Sequence, residues 1–299
     1  GTRLDVRQTG APQFFSPHGT VVHVDIDASS LNYSIMSKLS FETDLVTFFN
    51  EVKHIETAVK PAWSTFISSV ESYFRRGLIY SLKKVDPNTF LYELSKITSS
   101  HATIVADVGQ NQMWCAQYKN KKKGQRLLFS GGMGAMGFSL PAAIGAWHAD
   151  KKTELVVISG DGGLQINIQE LETVHRNKIP LKLFVLNNQS LGMVREFQDL
   201  YLNKNYQSTV IGYGCPNLKK IAAAYGFEYV RIQGVTKDDA ILRTILAKEV
   251  PVLIEVIIAE DAALTPKIVY GHALDDQGPY LTGEQKDYLE KAKALLRLS

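Results

Sequence analysis

Two short stretches hold the residues best suited by type and spacing to do chemistry. Asp161 sits between Gly160 and the pair Gly162-Gly163, and Asn188 follows Asn187 and precedes Gln189-Ser190. A carboxylate and an amide oxygen are hard donors, and together they suit an octahedral cation such as magnesium, which keeps waters and the phosphate oxygens of a ligand in its shell. The glycines let a ligand approach the backbone and offer N–H groups to an anion at a helix start. Between Gly162 and Asn187 lie 24 residues, room for one helix and one strand.

The hydrophobic pattern supplies the elements that must position them. Leu155-Val156-Val157-Ile158 reads as a buried strand ending at the Gly-Asp-Gly turn, and residues 181–186 as a second strand ending at the two Asn. Ile166, Ile168, Leu171 and Val174 mark a helix between them. A strand, helix, strand unit in one sheet is parallel and right-handed, so both loops leave the same carboxyl edge and Asp161 is a neighbour of Asn188. Open α/β sheets bind ligands at that edge. Either piece alone is an ordinary turn; the pair at this spacing describes a metal-bridged diphosphate site.

Gly160 to Val194 resembles the signature of thiamine-diphosphate enzymes, in particular the acetolactate synthase group. The resemblance implies thiamine diphosphate and Mg2+ as cofactors, with the metal held by Asp161, Asn188 and the backbone carbonyl of Ser190. Gly160, Gly162, Gly163, Leu191, Gly192 and Met193 belong to the same cofactor-binding stretch. Gly131 to Ala143 is similar to the family segment around the aminopyrimidine, with the Gly134 carbonyl facing its amino group and Met136, 25 residues before Asp161, as the apolar wedge under the bent cofactor. Asp107 to Trp114 is similar to the family's Val-Gly-Gln-His-Gln-Met-Trp, whose Gln-His pair contacts the diphosphate. Gln110 carries over, whereas Asn111 stands for His and can donate a hydrogen bond but not carry a proton. Met193, Val194 and Phe197 imply a substrate pocket, Phe197 standing where many acetolactate synthases have Trp and so leaving room for a bulkier acceptor. Met193 and Phe197 lie one helical turn apart, which suits a shared pocket and equally suits packing of the helix on the sheet.

The implied activity is decarboxylation of a 2-oxo acid such as pyruvate with carboligation to a second carbonyl. Three other readings stand beside it: a thiamine-dependent decarboxylase or a carboligase for another acceptor such as a sugar; a non-catalytic chain that keeps the fold; and a nicotinamide oxidoreductase. The last rests on residues 132–137, which match G-x-G-x-x-G, but the lead-in at 119–125 reads as a turn and the acid ending the next strand is Asp161 itself. In the family the activating Glu lies on a separate, usually amino-terminal domain that reaches across from a partner subunit. Nothing in this chain resembles that domain, and Glu170 and Glu196 read as solvated or locally paired helix residues. No catalytic residue is therefore assigned here. The expectations are a homo-oligomer (dimer or tetramer), a large exposed apolar face, and little turnover by the chain alone.

At 299 residues and 45% hydrophobic content the chain can build one large core and part of another. A net charge of +3 over 33 basic and 30 acidic residues favours neither nucleic acid nor a membrane surface, and Lys119 to Lys123 reads as a solvated loop. There is no apolar run of 18 residues and no signal pattern, so a cytoplasmic location is the default. Cys115 and Cys215 have neither metal-site nor disulfide spacing. The chain opens at Gly1 without Met, as a cloning or proteolytic boundary would leave it.

The expected organisation is the carboxyl-terminal part of a central domain at 1–60, a connector at 61–85, and a diphosphate-binding domain with a carboxyl-terminal arm at 86–299. Arg3 to Asp27 resembles the second half of the acetolactate synthase central domain; some relatives hold a flavin dinucleotide there, and this remnant by itself does not assign FAD. Within 1–60 the pattern gives a strand at 21–27 and a helix at 44–59. From Pro87 onward it gives a helix to about Ser99, a strand at 103–106, a helix from about Gln110, a Gly-rich turn at 131–137 and a helix at 140–148. After the two-loop unit come a helix at 218–225, a strand at 228–232, a helix at 238–248 and a strand at 252–258. This alternation predicts a doubly wound, mostly parallel α/β sheet with helices on both faces. Pro266, Gly271, Gly278 and Pro279 break the tail before a last helix at 283–298.

Overall fold

A computed structural model describes the chain except for residues 1, 57–59, 76–78, 119–121, 266, 275, 279–280 and 298–299. Pro266, Pro279, Leu298 and most of the Lys119 to Lys123 run thus lie outside the described residues, and the helix expected over 44–59 already ends at Val52, short of residues 57–59. Two compact units emerge, one of residues 1–77 with 265–299, the other of residues 78–264.

The first unit opens with the single turn α1 (Val6–Thr9), then pairs the short parallel strands β1 (Val22–Asp25) and β2 (Leu39–Glu42). The β2 strand is too short to stand out in the sequence although Leu39 and Phe41 alternate with Ser40 and Glu42, and all four of its residues are exposed. Asp44 caps α2 (Leu45–Val52) by accepting the N–H groups of Val46 and Thr47, and α3 (Pro61–Arg75) begins on a proline.

The second unit starts with α4 (Pro87–Ile97), whose cap Asp86 accepts from the Thr89 N–H and hydroxyl. There follow β3 (Thr103–Ala106), α5 (Gln110–Tyr118), β4 (Arg126–Phe129), α6 (Ser139–Ala149), β5 (Leu155–Gly160), α7 (Asp161–Ile166), α8 (Glu170–Arg176), β6 (Lys182–Asn187), α9 (Gly192–Tyr201), α10 (Leu218–Ala224), β7 (Glu228–Ile232), α11 (Ala240–Leu246) and β8 (Val252–Ile257). The six strands form one parallel sheet in the order β4-β3-β5-β6-β8-β7. Strands β3, β5 and β6 are buried almost throughout, which requires helices on both faces. Alternate residues feed two cores. Val156, Ile158, Phe184 and Leu186 join Phe90, Leu94 and Trp114 on one face, while Leu155, Val157, Leu183 and Val185 join Leu140, Leu171, Val174 and Leu218 on the other. Each such aliphatic side chain contributes roughly 1.5–3 kcal/mol on burial.

Two expectations change. A strand, β4, leads directly into the Gly-rich turn, where a turn-like lead-in was expected; its apolar run is only Leu127-Leu128-Phe129, half-buried at the sheet edge and too short to mark a strand beside the Lys-rich turn. The single helix between the two loops is broken at Asn167, whose side-chain amide donates to the carbonyl of Gly137 at 2.9 Å and so anchors the Gly-rich turn. After Leu264 the chain rejoins the first unit, with a small antiparallel pair, β9 (Lys267–Ile268) and β10 (Gln277–Gly278), and α12 (Gly283–Arg297). Tyr288 of α12 stacks on Tyr73 of α3, ring centroids 3.8 Å apart. No helix among the described residues is long and apolar enough to cross a membrane.

Candidate functional site

From β3 the chain passes to the edge strand β4 and then returns to the other side of β3 as β5, so the winding direction reverses between β3 and β5. Such a reversal leaves a crevice beyond the carboxyl ends of the two strands. A cavity of about 220 Å3 lies there, lined by the segments that follow β3, β5 and β6 and by the Gly-rich turn. It brings together Gln110, Asn111, Gly134 and Met136 with Gly160, Asp161, Gly162 and Gly163, and with Asn188, Ser190, Leu191, Gly192, Met193 and Val194. Phe197 is not in the lining; it is half exposed and packs its ring on Tyr201, centroids 4.7 Å apart.

Asp161 is the first residue of α7 and only 1% exposed. Burial pushes its carboxyl up to about 6, against the lowering effect of the Tyr213 hydroxyl, which donates to Oδ2 at 2.9 Å, and of backbone N–H groups at 161, 188 and 162. Among the described residues no lysine or arginine pairs with it, although a buried carboxylate calls for a cation. Burial and the Asp161 charge likewise hold the Tyr213 hydroxyl far above its ordinary range and push the Cys215 thiol up to about 12.

The two Asn divide their work. Asn187 donates to Glu255 on β8 at 2.7 Å and fixes the strand end, whereas Asn188 lines the cavity. Its Oδ1 accepts the Ser190 N–H at 3.2 Å, leaving one lone pair free. The turn passes through Gln189 at φ +55. Ser190 Oγ is buried without a hydrogen-bond partner. Behind it, α9 starts at Leu191 with no side-chain cap, and the N–H groups of Gly192, Met193 and Val194, which have no partner earlier in the helix, belong to residues on the cavity wall. At Gly192 a Cβ would come within 1.9 Å of Gln110 Oε1, and at Gly162 within 2.6 Å of Leu191 Cδ2, so both positions need the bare backbone.

The Gln110-Asn111 pair behaves differently from expectation. Asn111 donates to the carbonyls of Asp107 at 2.8 Å and Ile158 at 3.4 Å, and Gln110 donates to Glu196 Oε2 at 2.9 Å and the Ala262 carbonyl at 3.0 Å. Because these partners are acceptors, both amides turn NH2 to the protein and carry their oxygens on the opposite side, Gln110 Oε1 lying 3.5 Å from Asn188 Nδ2. Glu196, expected to be solvated or locally paired, is buried and also accepts the Leu264 N–H at 3.3 Å. Glu170 pairs locally, accepting from the Thr173 hydroxyl at 3.0 Å.

Three positioning residues escape sequence reasoning. Asp107, fully buried, accepts from the Gly137 N–H at 2.9 Å and from the Ser139 N–H and hydroxyl at 3.0 and 2.7 Å, tying the Gly134–Met136 turn to the end of β3. Its only signal is its place at the head of the Val-Gly-Gln segment. Tyr213 and Asn167 carry no sequence signal, because their partners are distant in the chain.

The residues fit the group the sequence implies. A buried carboxylate without a cation, an amide oxygen with a free lone pair and an unpartnered serine meet at neighbouring strand ends, beside uncapped helix N–H groups. Among the described residues no cluster of three His, Cys, Asp or Glu could hold a metal, so a cation at Asp161 would complete its shell with neutral oxygens and ligand phosphate, as magnesium does.

This fold and site define a coenzyme-binding α/β module, and residues 107–256 match the family model described as thiamine pyrophosphate enzyme, C-terminal TPP binding domain. The chain belongs to the thiamine pyrophosphate enzymes. It is similar to the acetolactate synthase large subunit of Lactococcus lactis subsp. lactis (strain IL1403), at 32% identity over 96% of this chain and 50% of that protein. The acetolactate synthase isozyme 2 large subunit of Escherichia coli (strain K12) is 32% identical over 91% of this chain and 49% of its own length. The chloroplastic acetolactate synthase 1 of Zea mays is 32% identical over 92% of this chain and 45% of its own length. The chain thus spans about half the length of the curated relatives it matches.

Proposed function

We propose that this chain is the cofactor-binding part of a thiamine-diphosphate-dependent enzyme resembling acetolactate synthase, which decarboxylates a 2-oxo acid of the pyruvate class and joins the product to a second carbonyl. The observation that carries this reading is the uncompensated Asp161 carboxylate facing Asn188 and Ser190 at the switch point of the sheet.

In this reading Asp161, Asn188 Oδ1 and the Ser190 carbonyl hold magnesium, and the free N–H groups of Gly192, Met193 and Val194 bind diphosphate oxygens with help from the α9 dipole. When bound, thiamine diphosphate supplies the carbon nucleophile and the electron sink for decarboxylation and carboligation. Met136, on the cavity wall, would be the apolar wedge under the cofactor, and the Gly134 carbonyl would accept from the aminopyrimidine amino group. Gln110 and Asn111 act by shaping the turns and orienting Asn188, since their own donors are engaged. Met193 and Val194 keep the substrate end dry.

Asp161 is the sole carboxylate among the described residues lining the cavity, so in this reading the glutamate required at the aminopyrimidine is brought to it from elsewhere, as by a partner subunit in a homo-oligomer. The α9 helix supports such a partner: Arg195, Glu196 and Gln198 are buried, while Met193, Val194, Phe197, Leu200 and Tyr201 are exposed, the reverse of a surface helix. A volume of about 220 Å3 also falls below the several hundred typical of a complete ligand pocket.

Titration calorimetry of thiamine diphosphate with and without Mg2+ tests the site, and Asp161→Ala should abolish the metal-dependent part. Chromatography of the products formed from pyruvate and candidate acceptors tests the chemistry. Acetaldehyde as sole product would replace the carboligase with a decarboxylase.

A further inference from the structure

We infer that Tyr213 is a positioning residue for the metal-binding carboxylate, acting from a loop that clamps both halves of the site; the inference rests on the function proposed above. Tyr213 lies 52 residues from Asp161, in the loop that links α9 to α10. Its hydroxyl donates to Asp161 Oδ2 at 2.9 Å and is itself held by Gln165 Nε2 at 3.3 Å, one turn further along α7. Gln165 also donates to the carbonyl of Gly214 at 3.1 Å, so α7 holds the loop at the tyrosine hydroxyl and at the next residue's backbone.

The same loop reaches the other ligand segment. The Thr209 carbonyl accepts the N–H of Leu191, the residue after Ser190, at 3.0 Å. Thr209 is buried and its hydroxyl is bound to Gln198 of α9. Asn203, Lys204 and Ser208 adopt left-handed backbone conformations at φ +49, +59 and +65. Such residues persist where the surroundings over-determine them. Tyr213 reaches the Asp161 side of the site and Thr209 the Ser190 side, with Cys215 of the same loop beside Gln189.

A carboxylate that binds a metal is oriented by the hydrogen bond on its other oxygen, and such outer partners typically change metal affinity 10–100-fold. Tyr213 is the hydroxyl that does this for Asp161. Without it the carboxylate keeps its charge and its backbone donors but loses the contact that selects its rotamer.

The test uses Mn2+, which is visible by electron paramagnetic resonance, titrated into the 299-residue protein with thiamine diphosphate present. Tyr213→Phe should weaken Mn2+ binding about 10–100-fold and broaden the spectrum of the bound ion. Tyr206→Phe, which cuts the bond from this loop's Tyr206 to Asp199 of α9 but touches neither Asp161 nor Leu191, should leave both readouts at their starting values. Equal affinity in Tyr213→Phe and the parent protein, or an equal loss in Tyr206→Phe, overturns the positioning role while leaving the metal site intact. Absence of diphosphate-dependent Mn2+ binding in the parent protein overturns the metal site and this role together. A melting curve without metal shows whether each variant is folded; should Tyr213→Phe not fold, Gln165→Leu, which removes the bond that holds the tyrosine, should show a smaller loss of the same sign, and an unchanged affinity there overturns the role.

Discussion

Replacing Asp161 by Asn should raise the stability of the metal-free protein while removing its metal-dependent cofactor binding. The carboxyl, at 3.8 in its unperturbed state, is pushed by burial up to about 6. At about 1.4 kcal/mol per unit, an ionised Asp161 costs the fold up to about 3 kcal/mol at neutral pH. A group with a raised carboxyl pKa favours the folded state below about pH 4, where both states are protonated, and that advantage is lost as the pH rises through about 6. Asn keeps the shape and an oxygen for the Tyr213 hydroxyl without the charge, while its NH2, meeting backbone N–H groups that now donate to the carboxylate, offsets part of the gain. In thermal melts at pH 7 without metal, Asp161→Asn should therefore melt higher, by roughly 2–4 °C for each kcal/mol gained in a unit of this size. At pH 4 the two curves should converge. Calorimetry at pH 7 should show no Mg2+-dependent thiamine diphosphate binding to the variant. A variant that melts lower at pH 7, or a difference that does not shrink on acidification, would refute the claim that Asp161 is an uncompensated buried charge. Retained metal-dependent binding would refute its place in the metal site.

Gly192→Ala puts a Cβ 1.9 Å from Gln110 Oε1, so that side chain must leave Glu196 and Ala262; we expect a cost of about 1–3 kcal/mol in denaturant unfolding and weaker cofactor binding. Asp107→Asn turns an NH2 toward groups that are themselves donors, and should cost about 1–3 kcal/mol and admit protease at the Gly131–Gly137 turn, read by limited proteolysis. The affinity for Mg2+ in the parent protein should fall as the pH drops below about 6, because the metal competes with the proton held by Asp161.

The sequence by itself determined the doubly wound sheet, because strands buried on both faces must be apolar runs, and β3, β5, β6 and β8 read that way to within a residue or two, with the half-exposed edge strand β7 also placed at 228–232. It also placed Asp161 and Asn188 side by side, since a parallel unit sends both loops to one edge. It did not reveal the edge strand β4 or the exposed β2, each only four residues long and so too short for periodicity to mark. Tertiary structure alone decided how the amides are used. Gln110 and Asn111 are suitable donors by type, yet carbonyls and a carboxylate brought in from residues 107, 158, 196 and 262 engage those donors. The same holds for Glu196, which looks like a surface residue of α9 until the 262–264 segment covers it, and for Tyr213, whose partner lies on another element. Local pattern fixes which face of an element is apolar; which polar groups are paired depends on contacts between distant segments, and only the packed chain supplies them.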